Sequence, residues 1–217
     1  MQTLSFTQEF YLCAVNSKGT VPFLRDVEVP ACIIAGCLME MINHGYIVLG
    51  DKKKLNTGKA WDDEIPYVKP LYDVIVSSKK AKKLKDVALE FWVSDKKREQ
   101  LTTAFGVSLL ASESVDVLDN QGLLKKKTRY APKADHVLRV IEKVRAEFLE
   151  DGVVTEETTC LAALLEKSGL IRDYFSKIER KKLKERLKEV RDSEMYASLK
   201  EIVEYIQTVI VILTTVH

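Results

Sequence analysis

PACIIAGCLMEMINHGYIVLGDKKKLNTG, residues 30–58, is the stretch on which the fold turns. From Pro30 to His44 it is apolar on nearly every face, which predicts a helix buried all round rather than one lying on a surface. Gly45 follows, the residue that ends such a helix most readily. YIVLGDKKKLNTG then reads as a short strand, a turn at Gly50 and Asp51, and a returning strand. A helix without a polar face needs neighbours on several sides, so the rest of the chain has to supply them.

Helix signals do dominate on both flanks. Upstream, Ser5 and Gln8 have capping-box spacing at the head of FTQEFYLCAVN, which stops at Ser17, Lys18 and Gly19. Downstream, Pro66 and Pro70 break the chain before LYDVIVSSK resumes a helical pattern. Residues 79–100 hold one or two charged amphipathic helices, and the pattern continues from Leu101 to Ala111 despite Gly106. Val137, Ile141, Val144 and Phe148 repeat at helical spacing. Thr155 caps TEETTCLAALLEKSG, which closes at Gly169. Ser176 and Glu179 form a second capping box, and a wide apolar stripe runs from Leu199 to Leu213. With no linker or low-complexity tract, the sequence predicts one mainly α domain over residues 1–217. That domain is a compact helical fold around a central hydrophobic C-terminal helix, with small β-hairpins.

The second hairpin is LDNQGLLKKKTRY, residues 118–130, with Asn120, Gln121 and Gly122 as its turn. LMEMINHGYIVLGDKKKL and LLASESVDVLDNQGLLKKK echo each other: helix, strand, polar turn, lysine-rich strand. Winged-helix modules share that order.

Composition excludes few classes. The chain has 217 residues, 34 Lys and Arg against 32 Asp and Glu, and a net charge of only +2. A polyanion partner therefore has to be argued from local clusters. Four exist: residues 51–54, 79–85, 95–100 and 125–129. Cys13, Cys32, Cys37 and Cys160 lie in apolar runs without a C-x-x-C pair, as buried reduced thiols of a cytoplasmic protein would. The first residues lack the basic and apolar regions of a signal peptide. TVIVILTTV is too short for a membrane span, which needs roughly 18 apolar residues.

Catalytic constellations are missing. His44, His136 and His217 show no metal-ligand spacing. GDKKKLNTGKA departs from a P-loop in its spacing and in carrying Ala60 where Ser or Thr would bind magnesium. The sequence predicts no enzyme, no metal and no cofactor. Nucleic acid is also disfavoured, because CIIAGCLMEMIN has too few polar residues to read bases.

The order of these motifs resembles the Golgi phosphoprotein 3 family in its compact bacterial form. LSFTQEFYLCAVNSKGTV is similar to the family's opening helix, AGCLMEMINHGYIVL to its second helix and strand, and VLDNQGLLKKKTRYAP to its hairpin. TTCLAALLEKSGLI and ERKKLKERLKEV are similar to its C-terminal half. The resemblance implies a helical domain around a central apolar helix, for which EYIQTVIVILTTV is the candidate. Eukaryotic members bind phosphatidylinositol 4-phosphate on Golgi membranes and act as adaptors for glycosyltransferases. Their pocket uses a Trp before the second helix, an Arg within it, and two Arg one turn apart on a later helix.

Carried over, the Trp position falls at or beside Arg25 and the helix Arg at Ile34. One register places the Arg pair at Asp95 and Arg98. Arg25, Lys97 and Arg98 are thus the expected contacts to an anionic head group, without the family's full arginine set. Leu123, Leu124, Lys125, Lys126 and Lys127 are the expected hairpin contacts to an anionic membrane surface or a second copy of the chain. The expectation is a peripheral, adaptor-type protein on the cytosolic membrane face; the alternatives are a nucleic-acid-binding regulator with helix-plus-wing units and a helical scaffold of undefined ligand.

Overall fold

Ser5 accepts a hydrogen bond from the Gln8 amide at 3.2 Å while its own amide donates to Gln8 Oε1 at 3.0 Å. This reciprocal cap opens α1, Phe6–Ala14, as the sequence predicts. In a computed structural model the described residues are 3–21, 27–51, 54–78, 81–120, 127–150, 152–192 and Val211. The predicted C-terminal helix, apart from Val211, lies outside them, as do Arg25 and residues 121–126.

The long apolar run forms α2, Glu28–Asn43, starting two residues before Pro30. Its interior side chains are almost all buried, and Gly45 ends it at φ +74°. At Gly36 α1 comes close: a Cβ there would lie 2.7 Å from Thr7 Oγ1. Buried Glu40 ties the same two helices. Its carboxylate accepts from the Thr7 amide at 3.1 Å and from the Tyr67 hydroxyl. Burial raises the Glu40 carboxyl above its ordinary range.

The prolines act differently from the expectation. Pro66 opens a turn of 3-10 helix, Pro66–Val68, and Pro70 sits in the first turn of α3, Lys69–Val76. Both occupy positions where the missing N–H costs nothing, so they start helix instead of breaking it. The next amphipathic region is two helices, α4 (Leu84–Trp92) and α5 (Asp95–Ala111), separated by Ser94, which caps α5 by accepting from the Lys97 amide.

The rest follows the predicted stripes. α6, Ala134–Leu149, buries Val140, Ile141, Val144 and Phe148, and Thr155 caps α7, Glu156–Lys167. A single turn, α8, Ile171–Tyr174, precedes α9, Lys177–Asp192. The second capping box joins Ser176 and Glu179, and Glu179 also accepts from Arg145 Nε at 2.9 Å. These bonds hold Glu179 at about 2, well below the usual carboxylate range.

Helix α1 touches α2, α5, α6 and α7, so one buried core links the elements on either side. All four cysteines are buried thiols within it. Two antiparallel hairpins complete the fold. β1 (Ile47–Gly50) pairs with β2 (Lys54–Thr57), Ile47 facing Thr57; β3 (Val115–Asn120) pairs with β4 (Lys127–Pro132), Val115 facing Pro132. The architecture is mainly α with small hairpins.

Candidate anion-binding cleft

Two glycines decide where β4 lies. A Cβ on Gly106 of α5 would sit 2.0 Å from Tyr130 Cδ2, inside the ring's own contact surface. Tyr130 can rest on α5 only because that position has no side chain. Gly19, at φ +66°, does the same from the other side, since its Cβ would come 2.7 Å from Arg129 Cβ. Asn16 holds the Gly19 turn, its Oδ1 accepting from the Lys18 and Thr20 amides at 2.9 and 3.2 Å. The root of the second hairpin is thereby seated between α5 and the turn after α1.

This seating walls a cleft of about 250 Å³. Its floor is apolar, with Ile33 and Ile34 from α2, Phe91 from α4, and Leu101 and Phe105 from α5. Tyr11 stacks on Phe105 with ring centres 4.8 Å apart, and its hydroxyl bonds to Thr102. Two arginines lie at the cleft, Arg98 from α5 and Arg129 from β4, together with Glu99 and the hydroxyls of Thr20, Thr102 and Thr128. Arg98 pairs with Asp95, whose side chain is 94% exposed. Such exposed pairs contribute at most about 1 kcal/mol, so an incoming anion competes with Asp95 at little cost. Arg129 makes no ion pair among the described residues.

The sequence-predicted residues divide accordingly. Arg98 lines the cleft, and so does Ile34, the position where the family resemblance places an arginine. Asp95, the other half of the expected pair, faces solvent. Lys97 does not line the cleft; its ammonium binds Glu90 of α4, which also holds Lys82 at 2.5 Å. Lys127 begins β4, paired with Asn120, while Leu123, Leu124, Lys125 and Lys126 lie outside the described residues. Arg129 went unassigned in the sequence. Its signal was indirect: Gly19 and Gly106 mark close approaches, but neither names the strand that approaches.

Helix α2 is too thoroughly buried to offer a face to a nucleic-acid groove. No helix among the described residues is long and apolar enough to cross a membrane.

A second cavity of about 220 Å³ has the opposite character. Glu40, Glu156, Glu157 and His44 line it, beside Cys160. Its carboxylates repel anions, whereas the arginine-bearing cleft attracts them.

The comparison with known proteins agrees in extent with the whole fold. The family model described as Golgi phosphoprotein 3 (GPP34) matches residues 6–206. No curated protein matches the chain.

Proposed function

The chain belongs to the Golgi phosphoprotein 3 family, and from that premise we propose that it is a peripheral, adaptor-type protein that holds anionic lipid head groups in the cleft beneath the second hairpin. The observation that carries this reading is the meeting of Arg98 and Arg129, from elements distant in sequence, over one cavity. Arginine's planar fork suits a phosphate better than a lysine ammonium does. With Ile34 in the floor, the cleft has no third arginine from α2, so preference for phosphatidylinositol 4-phosphate is not retained. Lys125, Lys126 and Lys127 add attraction to an anionic surface, roughly 1 kcal/mol for each basic residue near it. Leu123 and Leu124 insert shallowly beside them. The same leucines are the place for self-association, the whole chain acting as one domain on the cytosolic face.

Vesicle flotation at graded phosphatidylserine content tests this, with a phosphatidylinositol 4-phosphate arm and a DNA shift assay alongside. Binding should rise with anionic lipid, fall with salt, and show no preference for the phosphoinositide. Strong phosphoinositide selectivity at physiological salt would overturn the lost-selectivity claim, and DNA binding without vesicle binding would overturn the membrane reading. Leu123→Ser with Leu124→Ser should keep the fold and weaken flotation. Size-exclusion elution of the same variant reports on self-association.

A further inference from the structure

The charge at the cleft is nearly balanced. Arg98 and Arg129 bring two positive charges, while Glu99 lies at the same cleft and Asp95 sits on Arg98. The floor offers no hydrogen bonds: Ile33, Ile34, Phe91, Leu101 and Phe105 are each at most 7% exposed. Among the described residues, a multiply charged, hydroxyl-rich head group would meet two arginines and the Thr20, Thr102 and Thr128 hydroxyls, but would lay part of itself on the alkyl and aryl carbon of the floor. A group with one anionic centre and an apolar body fits both halves of the site.

We infer that the cleft takes an amphipathic anion. A single phosphate or carboxylate lies between Arg98 and Arg129, and a short alkyl or acyl segment rests on the floor made by Ile33, Ile34 and Phe105. This inference rests on the anion-binding reading above and narrows its ligand class. The volume of about 250 Å³ is below the roughly 300–1,000 Å³ that encloses a drug-sized ligand. The cleft therefore admits a head and the first part of a chain, not a whole two-chain lipid. Two sources share that chemistry: a membrane lipid with part of its chain drawn in, and a free single-chain amphiphile.

Titration calorimetry on the full chain separates the possibilities, with octyl phosphate below its micelle threshold, inorganic phosphate and octanol as probes. Octyl phosphate should bind saturably, one per chain, at least about tenfold tighter than inorganic phosphate, because methylenes leave water on binding. Octanol should show no saturable binding. Arg98→Gln with Arg129→Gln should weaken octyl phosphate at least about tenfold. Ile34→Ser should bring octyl phosphate close to inorganic phosphate. Thr102→Trp, an exposed position at the same cleft, should do so by filling it, with no core residue altered.

Equal affinity for octyl and inorganic phosphate would overturn the amphipathic inference and leave the anion-binding reading standing. Octanol binding as tightly as octyl phosphate would overturn it too, by removing the need for charge. No binding of either phosphate, with vesicle flotation intact, would move the head-group site elsewhere and overturn both. Competition of octyl phosphate against vesicles of phosphatidylcholine and phosphatidic acid assigns the source. Displacement identifies the membrane lipid; octyl phosphate binding without displacement identifies the free amphiphile. Either result upholds the amphipathic anion.

Discussion

The two hairpins look alike in sequence and sit in the fold in different ways. β1–β2 closes largely on itself. Gly58 donates to Tyr46 O at 2.8 Å and Lys59 to Gly45 O at 2.7 Å, so the hairpin is zipped to the end of α2 by its own backbone. Its outer strand is covered by the segment before α4, with the Leu55 amide donating to Lys82 O at 2.9 Å. Beside it Trp61 packs between Tyr46 and Tyr72, with ring centres 4.7 and 4.8 Å away. β3–β4 instead seats a ring on a bare stretch of helix, and that seat brings an arginine to a cleft. A repeated sequence pattern thus gives a structural lid in one place and the wall of a site in the other. What separates them is a glycine on the neighbouring element, not anything within the hairpins.

Removing the rings should give the largest difference. Tyr130→Ala empties the seat on Gly106 and should cost about 3 kcal/mol. Trp61→Ala, in a half-buried stack, should cost about 1.5 kcal/mol. Chemical denaturation of the two variants measures both; a larger loss at Trp61 would reverse the assignment of which hairpin is seated by its ring.

The glycines come next. Gly106→Ala gains about 1 kcal/mol of helix propensity, yet the new methyl meets Tyr130, so a net loss of about 1–2 kcal/mol is expected from overpacking. At Gly50 a Cβ would meet only the Asn56 amide, 2.4 Å away at the end of a flexible side chain. Gly50→Ala should therefore stay within about 0.5 kcal/mol of the parent. Melting curves that rank these two the other way would break the comparison.

Much of this was legible in the sequence, and the misses have physical reasons. The capping box at Ser5, the all-round apolar α2 and the stripes of α6 and α7 are local patterns, and local patterns specify local structure. Pro66 and Pro70 misled because proline both ends helices and begins them, and only the chain's direction afterwards distinguishes the two. Gly106 read as a weak point in a helix and is instead a seat. Arg129 was invisible as a site residue because α2, α5 and β4 meet only in three dimensions, whereas Arg98 was reached through family resemblance. Lys97 was grouped with Arg98 by adjacency, yet neighbouring positions on a helix point about 100° apart, and Lys97 turns to Glu90.

A smaller contrast is electrostatic. Hydrogen bonds from His44 and Lys59, with the lysine's charge, hold the exposed Glu64 carboxylate below its ordinary value beside the first hairpin. A carboxyl with a depressed folded value contributes stability above the unfolded value, near 4.5, that is lost as pH falls through the folded value. At the second hairpin the ion pair among the described residues is Lys133 with Asp116 at 3.9 Å, too long and exposed to matter. In a Trp92→Phe background, Trp61 fluorescence should change below about pH 4.5, and Glu64→Gln should remove that change. An unaltered transition in the Glu64 variant would place its origin elsewhere.

Charge reversal at the two hairpins tests the central claim most directly, by vesicle flotation against phosphatidylserine-containing membranes at physiological salt. Arg98→Glu with Arg129→Glu alters the cleft; Lys52→Glu, Lys53→Glu and Lys54→Glu reverse the lysine run in the sequence of the first hairpin, with a larger change in net charge. The cleft variant should lose flotation at least about tenfold while melting within about 0.5 kcal/mol of the parent. The lysine-run variant should stay within about twofold. Loss in proportion to net charge, greater in the lysine-run variant than in the cleft variant, would contradict a defined site and leave only diffuse attraction to the membrane.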